Sequence, residues 1–199
     1  MGRLEVITGS MFSGKTSELI RRLRLCLVAR KKVQAFKSVR DRRYHETAIV
    51  SHDRTEVSSL AVSQASEILE RFDGLAQVVG IDEAQFFGTD LVGVCETLAR
   101  RGCRVIVAGL DMDYRGEPFE VIANLMARAE LVTKNLAICS RCGEEAHYSQ
   151  LLSGAETASG RILVGAKESY EARCRKCFEP PLFPRPAPTL APHSGERGG

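Results

Sequence analysis

The chain has 199 residues, 44% hydrophobic and 27% charged, with a formal net charge of +3. That length corresponds to one domain, or one domain with a small appendage, and suffices to bury a core without disulfide support. No apolar run approaches the ~18–20 residues of a membrane span and no apolar leader follows Met1, so membrane, secreted and collagen-like classes are set aside and a cytoplasmic location is expected.

Leu4 to Thr8 reads as a strand, and it runs into Gly9-Ser10-Met11-Phe12-Ser13-Gly14-Lys15-Thr16. This octapeptide satisfies G-x-x-x-x-G-K-[ST] between a strand and a helix, the context that motif requires. Glycines let successive backbone N–H groups curl around a phosphate, and the following helix N-terminus adds partial positive charge. Lys15 reaches the β- and γ-phosphates, and the Thr16 hydroxyl is placed to ligate Mg²⁺. The expectation is a nucleoside triphosphate site.

Leu19, Leu23 and Leu27, with Ile20 beside them, place the apolar stripe of the helix that follows. From Arg21 to Arg43 ten basic residues face Asp41 alone, a local balance of +9. This stretch reads as a solvated helix face plus a basic loop, or as attraction for a polyanion; with only Tyr44 as an aromatic it is a poor nucleic-acid surface. Val33 to Phe36 reads as a second strand, and Ser63 to Phe72 as a helix capped by Ser63.

Gln77 to Ile81 is a nearly continuous apolar run, as for a parallel strand buried on both faces, and it ends in Asp82-Glu83. Taken as a neighbour of the first strand, it carries both acids to the crevice of the phosphate loop. Asp82 is the candidate partner of Mg²⁺, and Glu83 can deprotonate an incoming nucleophile, either water or a substrate hydroxyl. Leu91 to Arg100 is helical, and Arg104 to Gly109 is another buried strand. Strands alternating with helices predict an α/β fold: a parallel sheet with helices on both faces.

From Ala137 the pattern changes. Cys139-Ser140-Arg141-Cys142 and Cys174-Arg175-Lys176-Cys177 are two CxxC knuckles that complete a closed, structural Zn²⁺ site of four thiolates. A redox-active CxxC is the competing reading, but it belongs at the start of a helix in a βαβ unit. The 31 residues between the knuckles exceed the spacing of a zinc ribbon, so a long loop is pinched at its base. Six of the seven prolines lie after Glu179, which predicts a disordered tail. The expected organisation is a nucleotide-binding α/β domain over 1–136, a Cys₄ zinc domain over 137–178 and the tail over 179–199.

These motifs in this order, together with Thr8, Ser17-Glu18-Leu19 and Ile81-Asp82-Glu83-Ala84-Gln85-Phe86-Phe87, resemble the thymidine kinases of the zinc-containing type II family, from about Gly2 to Cys177. The resemblance implies a RecA-like P-loop sheet, a zinc-ribbon-like domain with a lasso loop, a homotetramer, and transfer of the γ-phosphoryl of ATP to the 5′-hydroxyl of thymidine, and of deoxyuridine, with feedback by dTTP. It makes Glu83 the catalytic base. Gly9 to Thr16, Asp82 and Gln85, with Asp41 and Arg43 of the basic loop, fall on the ATP side. Met11, Phe86 (which with Gln85 matches the segment beside the deoxyribose), Leu110, Tyr114, Phe119 and Tyr170 fall in the nucleoside pocket. Tyr114 stands where some members have phenylalanine, so its hydroxyl requires a partner. The alternative is a RecA-like ATPase with a nucleic-acid-binding zinc ribbon, although Leu151 to Gly160 carries neither basic nor aromatic residues.

Overall fold

The computed structural model describes residues 2–40, 48–50, 56–152 and 169–180. A six-stranded, all-parallel sheet is built from β1 (Arg3–Gly9), β2 (Val33–Ser38), β5 (Leu60–Val62), β6 (Val78–Asp82), β7 (Arg104–Leu110) and β8 (Leu131–Asn135), in the order β5-β2-β6-β7-β1-β8. The predicted strands fall on β1, β2, β6 and β7, whose apolar runs are buried on both faces as parallel pairing demands.

One face is covered by α1 (Lys15–Val28), which packs Leu19, Ile20, Leu23 and Cys26 onto Ile7, Ala35, Val78, Ile106 and Ala108. A hairpin of β3 (Ala48–Val50) and β4 (Glu56–Ser58) adds Ile49 to this layer. The other face holds α2 (Ser66–Glu70), α3 (Asp90–Arg100) and α4 (Glu120–Arg128), with Ile68, Leu91, Cys95, Leu98, Ile122 and Leu125 in the larger core. Helices therefore lie on both faces, as alternation of strand and helix requires.

Four details differ from expectation. Leu27 is 48% exposed, and Cys26, one place earlier, closes the apolar stripe, because i+7 stays nearer the helix face than i+8. The helix predicted over 63–72 is only five residues long; the Glu67 carboxylate accepts from the Ser63 and Gln64 N–H groups, so the turn is capped from inside the helix. Arg22, from the basic stretch, is buried rather than solvated, between Glu5 and Glu18. Finally, β6 is not adjacent to β1, since β7 lies between them.

Beyond β8 the chain forms two small antiparallel pairs, β9 (Ala137–Ile138) with β10 (Glu145–Ala146) and β11 (Tyr148–Leu151) with β12 (Tyr170–Arg173). Their core consists of Ala137, Cys139, Ala146, Ala172 and Cys174. Most of the span between β11 and β12, and the tail from residue 181, lie outside the described residues. Among the described residues no helix is long and apolar enough to cross a membrane.

Candidate active site at the carboxyl edge of the sheet

The loop between β1 and α1 curls tightly. Gly9 has φ 140°, and a Cβ there would meet the Asn135 carbonyl at 2.2 Å and Ser13 Oγ at 2.9 Å, so a side chain has no room. Phe12 sits at φ 65°, in the left-handed region, with its ring exposed, and Gly14 at φ 75° delivers the chain into α1. The Ser13 hydroxyl and the Lys15 ammonium both donate to the Ser10 carbonyl, at 2.8 and 2.6 Å, folding the lysine across the loop. The Ser10 hydroxyl is buried with no hydrogen-bond partner among the described residues. Glycine-dependent curvature, a lysine over the rim and a helix N-terminus beneath form a cradle that fits a phosphate chain.

The Thr16 hydroxyl donates to Asp82 Oδ2 at 3.1 Å, joining the first turn of α1 to the end of β6 across the tip of β7. Hydroxyl and carboxylate together offer the hard oxygen donors that a small divalent cation takes. Lys37, 2% exposed, is the register partner of Asp82 on β2 and puts a buried cation beside that acid.

Glu83 leaves β6 at φ 53°, a left-handed conformation uncommon for a non-glycine residue and frequent at functional sites. Its N–H donates to Asp82 Oδ1 at 2.9 Å, and a single 3₁₀ turn, Ala84–Phe86, follows. Gln85 is buried, with both heteroatoms of its amide engaged: Nε2 donates to Glu83 Oε2 at 2.5 Å, and Oε1 accepts from Leu110 N–H at 3.0 Å. Phe86 is half-buried beside this turn.

Of the residues expected around a nucleoside, Met11, Phe86, Leu110, Tyr114 and Phe119 lie at or just past the carboxyl ends of β1, β6 and β7, while Tyr170 belongs to the separate β11–β12 pair. Leu110 ends β7, Phe119 precedes α4, and Met11 packs against the apolar cluster containing both. Tyr114 is buried in the turn Asp113–Gly116; its hydroxyl accepts from Arg115 Nε at 3.1 Å, and the guanidinium stacks 5.2 Å from the ring centre. The polar partner that the tyrosine requires is thus its own neighbour. Tyr170 is buried at the start of β12, opposite Leu151. Asp41 and Arg43 lie outside the described residues.

Sequence reasoning missed several contributors. The Met11 N–H donates to Ser149 Oγ at 3.0 Å, tying the phosphate loop to β11 across 138 residues. Asp111, buried just past β7, pairs with Lys134 of β8 at 2.8 Å. Neither contact leaves a local pattern, because each joins single residues from distant segments.

The sulfur atoms of Cys139, Cys142, Cys174 and Cys177 all lie within 4.8 Å of one another. A tetrahedral ion with thiolate bonds of about 2.3 Å needs sulfurs roughly 3.8 Å apart, so the cluster fits a metal. Burial opposes ionisation of Cys139, yet backbone N–H groups of Cys174, Arg141 and Cys142 outweigh it and hold the thiol down to about 6. Burial and the neighbouring sulfurs push the Cys177 thiol up; a bound cation favours the thiolate form of such a cluster. None of the seven cysteines, all of them among the described residues, is bridged.

Comparison with known proteins identifies a family. The sequence model of the family described as thymidine kinase matches residues 2–178. The chain is 55% identical to a thymidine kinase of Rhodothermus sp. (strain ITI 518) over 181 residues, covering 91% of this chain and 83% of that protein. It is 50% identical to a thymidine kinase of Bdellovibrio bacteriovorus, covering 95% and 90% respectively. A thymidine kinase of Deinococcus deserti is 50% identical over 187 residues.

Proposed function

The chain belongs to the thymidine kinase family, a family of kinases that phosphorylate thymidine, and on that premise we propose that Glu83 is the base that activates the 5′-hydroxyl of thymidine for attack on the γ-phosphoryl of ATP. Family membership decides against the DNA-coupled ATPase. The observation that carries the residue assignment is the left-handed turn at Glu83, which sets a buried carboxylate one residue past the acid that accepts from Thr16. Base and phosphate loop then face one crevice.

In this reading Gly9 to Gly14 bind the phosphates through backbone N–H groups, and Lys15 swings from the Ser10 carbonyl onto the β- and γ-phosphates. Thr16 and Asp82 would hold Mg²⁺, which when bound neutralises charge on the triphosphate. Glu83 takes the proton of the hydroxyl as the in-line transfer proceeds. Asp41 and Arg43, outside the described residues, are assigned to the ATP side on the family resemblance alone. Met11, Phe86, Leu110, Tyr114, Phe119 and Tyr170 enclose the nucleoside, and deoxyuridine, lacking only a methyl group, is a second substrate.

The metal of the four-cysteine cluster is Zn²⁺, closed by four ligands and therefore structural, and it organises residues 137–178 as a small unit apart from 1–136, with 179–199 as a tail. The immediate product is thymidine 5′-monophosphate; dTTP, the end product of its further phosphorylation, carries both a nucleoside and a triphosphate and acts as a feedback inhibitor. Exposed Leu131, Val132 and Leu136 on and beside the edge strand β8 support assembly into a homotetramer. Unbridged cysteines support a cytoplasmic location.

The test is phosphate transfer from γ-labelled ATP to each of the four deoxynucleosides. Thymidine is expected to dominate, and Glu83→Gln should bind thymidine while losing most of kcat. Wild-type kcat in Glu83→Gln would remove the base assignment.

A further inference from the structure

β7 runs beyond its partner β6. The parallel register between them ends at Ile81 with Val107, whereas β7 continues to Leu110. The Leu110 N–H is met instead by a side chain, with Gln85 Oε1 accepting it at 3.0 Å. The amide of Gln85 therefore continues the ladder where the backbone of β6 has turned away. A backbone N–H can only donate, so this contact fixes which end of the amide faces β7 and turns Nε2 toward Glu83, where it donates to Oε2 at 2.5 Å. The side chain lies against Gly109, where an added Cβ would stand 3.1 Å from Oε1 and 2.6 Å from Ile122 Cδ1. Glycine at this position leaves the amide its room.

We propose that Gln85 is the positioning residue of phosphoryl transfer: anchored by the Leu110 N–H, its amide grips one carboxylate oxygen of Glu83 and holds that side chain at the angle the substrate hydroxyl requires. The inference rests on Glu83 being the base. A glutamate side chain has three rotatable bonds, and a base must stand within hydrogen-bond reach of the proton it takes. The chain backbone holds Glu83 at one end through the Asp82 contact and the left-handed turn, and Gln85 holds it at the other. Each end of the Gln85 amide is thus held by one contact within the protein, with Oε1 on the Leu110 N–H and Nε2 on Glu83.

Two variants separate the parts of this device. Gln85→Glu keeps an acceptor for the Leu110 N–H but replaces the donor to Glu83 with a second carboxylate; Gln85→Met removes both contacts at similar volume. Losing a hydrogen bond to a charged group, or displacing a reacting group by an ångström, costs about ten- to a hundredfold in rate. Both variants should lose kcat by that factor with the KM for thymidine within about threefold of wild type. Thymidine binding by calorimetry and the melting temperature report folding. A double-mutant cycle gives the decisive readout: in a Glu83→Gln background, Gln85→Met should have almost no further effect on the residual rate, because the group it positions is gone. A kcat within about threefold of wild type in both variants overturns the proposal, as does a loss confined to KM, or full additivity in the cycle. Should Glu83→Gln itself retain wild-type kcat, the base assignment fails and the proposal with it; should Glu83→Gln be inactive while the Gln85 variants turn over normally, only the positioning role fails.

Discussion

Glu5 lies on β1, between β7 and the edge strand β8, with none of its side chain exposed, and three arginines converge on it: Arg22 at 3.0 Å, Arg104 at 2.6 Å and Arg3 at 2.6 Å. Arg22 reaches it from α1, the helix that begins with Lys15 and Thr16, so this carboxylate pins the phosphate-loop helix to the sheet. Glu5→Gln keeps the shape and removes the charge; the new amide N–H₂ then faces guanidinium donors that it cannot accept from. Breaking a buried ion pair by neutralising one partner costs about 3–5 kcal/mol. Arg22 retains Glu18 at 2.7 Å and Thr133 at 2.8 Å, which brings the expected loss to the lower end, about 3 kcal/mol. For a chain of this length that lowers Tm by roughly 6–12 °C. Urea unfolding followed by circular dichroism, with the slope compared between variants, measures the loss directly. Arg21→Ala, which removes an exposed pair with Glu18 and leaves the Glu5 network intact, is the comparison and should lower Tm by much less than Glu5→Gln. A Glu5→Gln protein destabilised by less than about 1 kcal/mol would refute the claim that the network anchors α1.

Acid should act through the same helix. Hydrogen bonds from Arg21, and then from Arg22 working against burial, hold the Glu18 carboxyl at about 2, below its ordinary 4.5. Its folded-state value is depressed, so its stabilising contribution is complete above about pH 4.5 and is lost as the pH falls toward about 2. Glu18→Gln should flatten that part of a stability-against-pH curve, and an unchanged curve counts against the assignment. Purified protein should carry about one tightly held zinc per chain by elemental analysis; Cys139→Ser or a strong chelator should remove it and loosen β9 to β12, read as faster amide exchange in 137–151 and 169–178, while protection in β1, β6 and β7 persists. Equal loss of protection throughout would mean that the two parts do not open independently.

Local chemistry carried most of the reading of this chain. The phosphate loop declares itself because only glycine and a following helix can wrap backbone N–H groups around a phosphate; the four cysteines do so because two knuckles close one tetrahedron; and β1, β6 and β7 do so because strands buried on both faces are mostly apolar, Glu5 being an exception paired with arginines. Short-range signals also explain the errors. An i, i+4, i+8 stripe takes in the exposed Leu27, and a run of basic residues takes in the buried Arg22, because a periodicity shows which residues share a face and not what that face meets. What the tertiary structure alone decided is order and partnership. β7 comes between the phosphate-loop strand and the carboxylate strand, so Thr16 meets Asp82 across a strand tip; Ser149 meets Met11 from 138 residues away; and the Leu110 N–H, left without a strand partner, takes hold of Gln85. Parallel strands pair without regard to their order in the chain, and a hydrogen bond needs only two atoms to arrive at one place. Such contacts therefore leave no periodicity in sequence, and the setting of Glu83 depends on them.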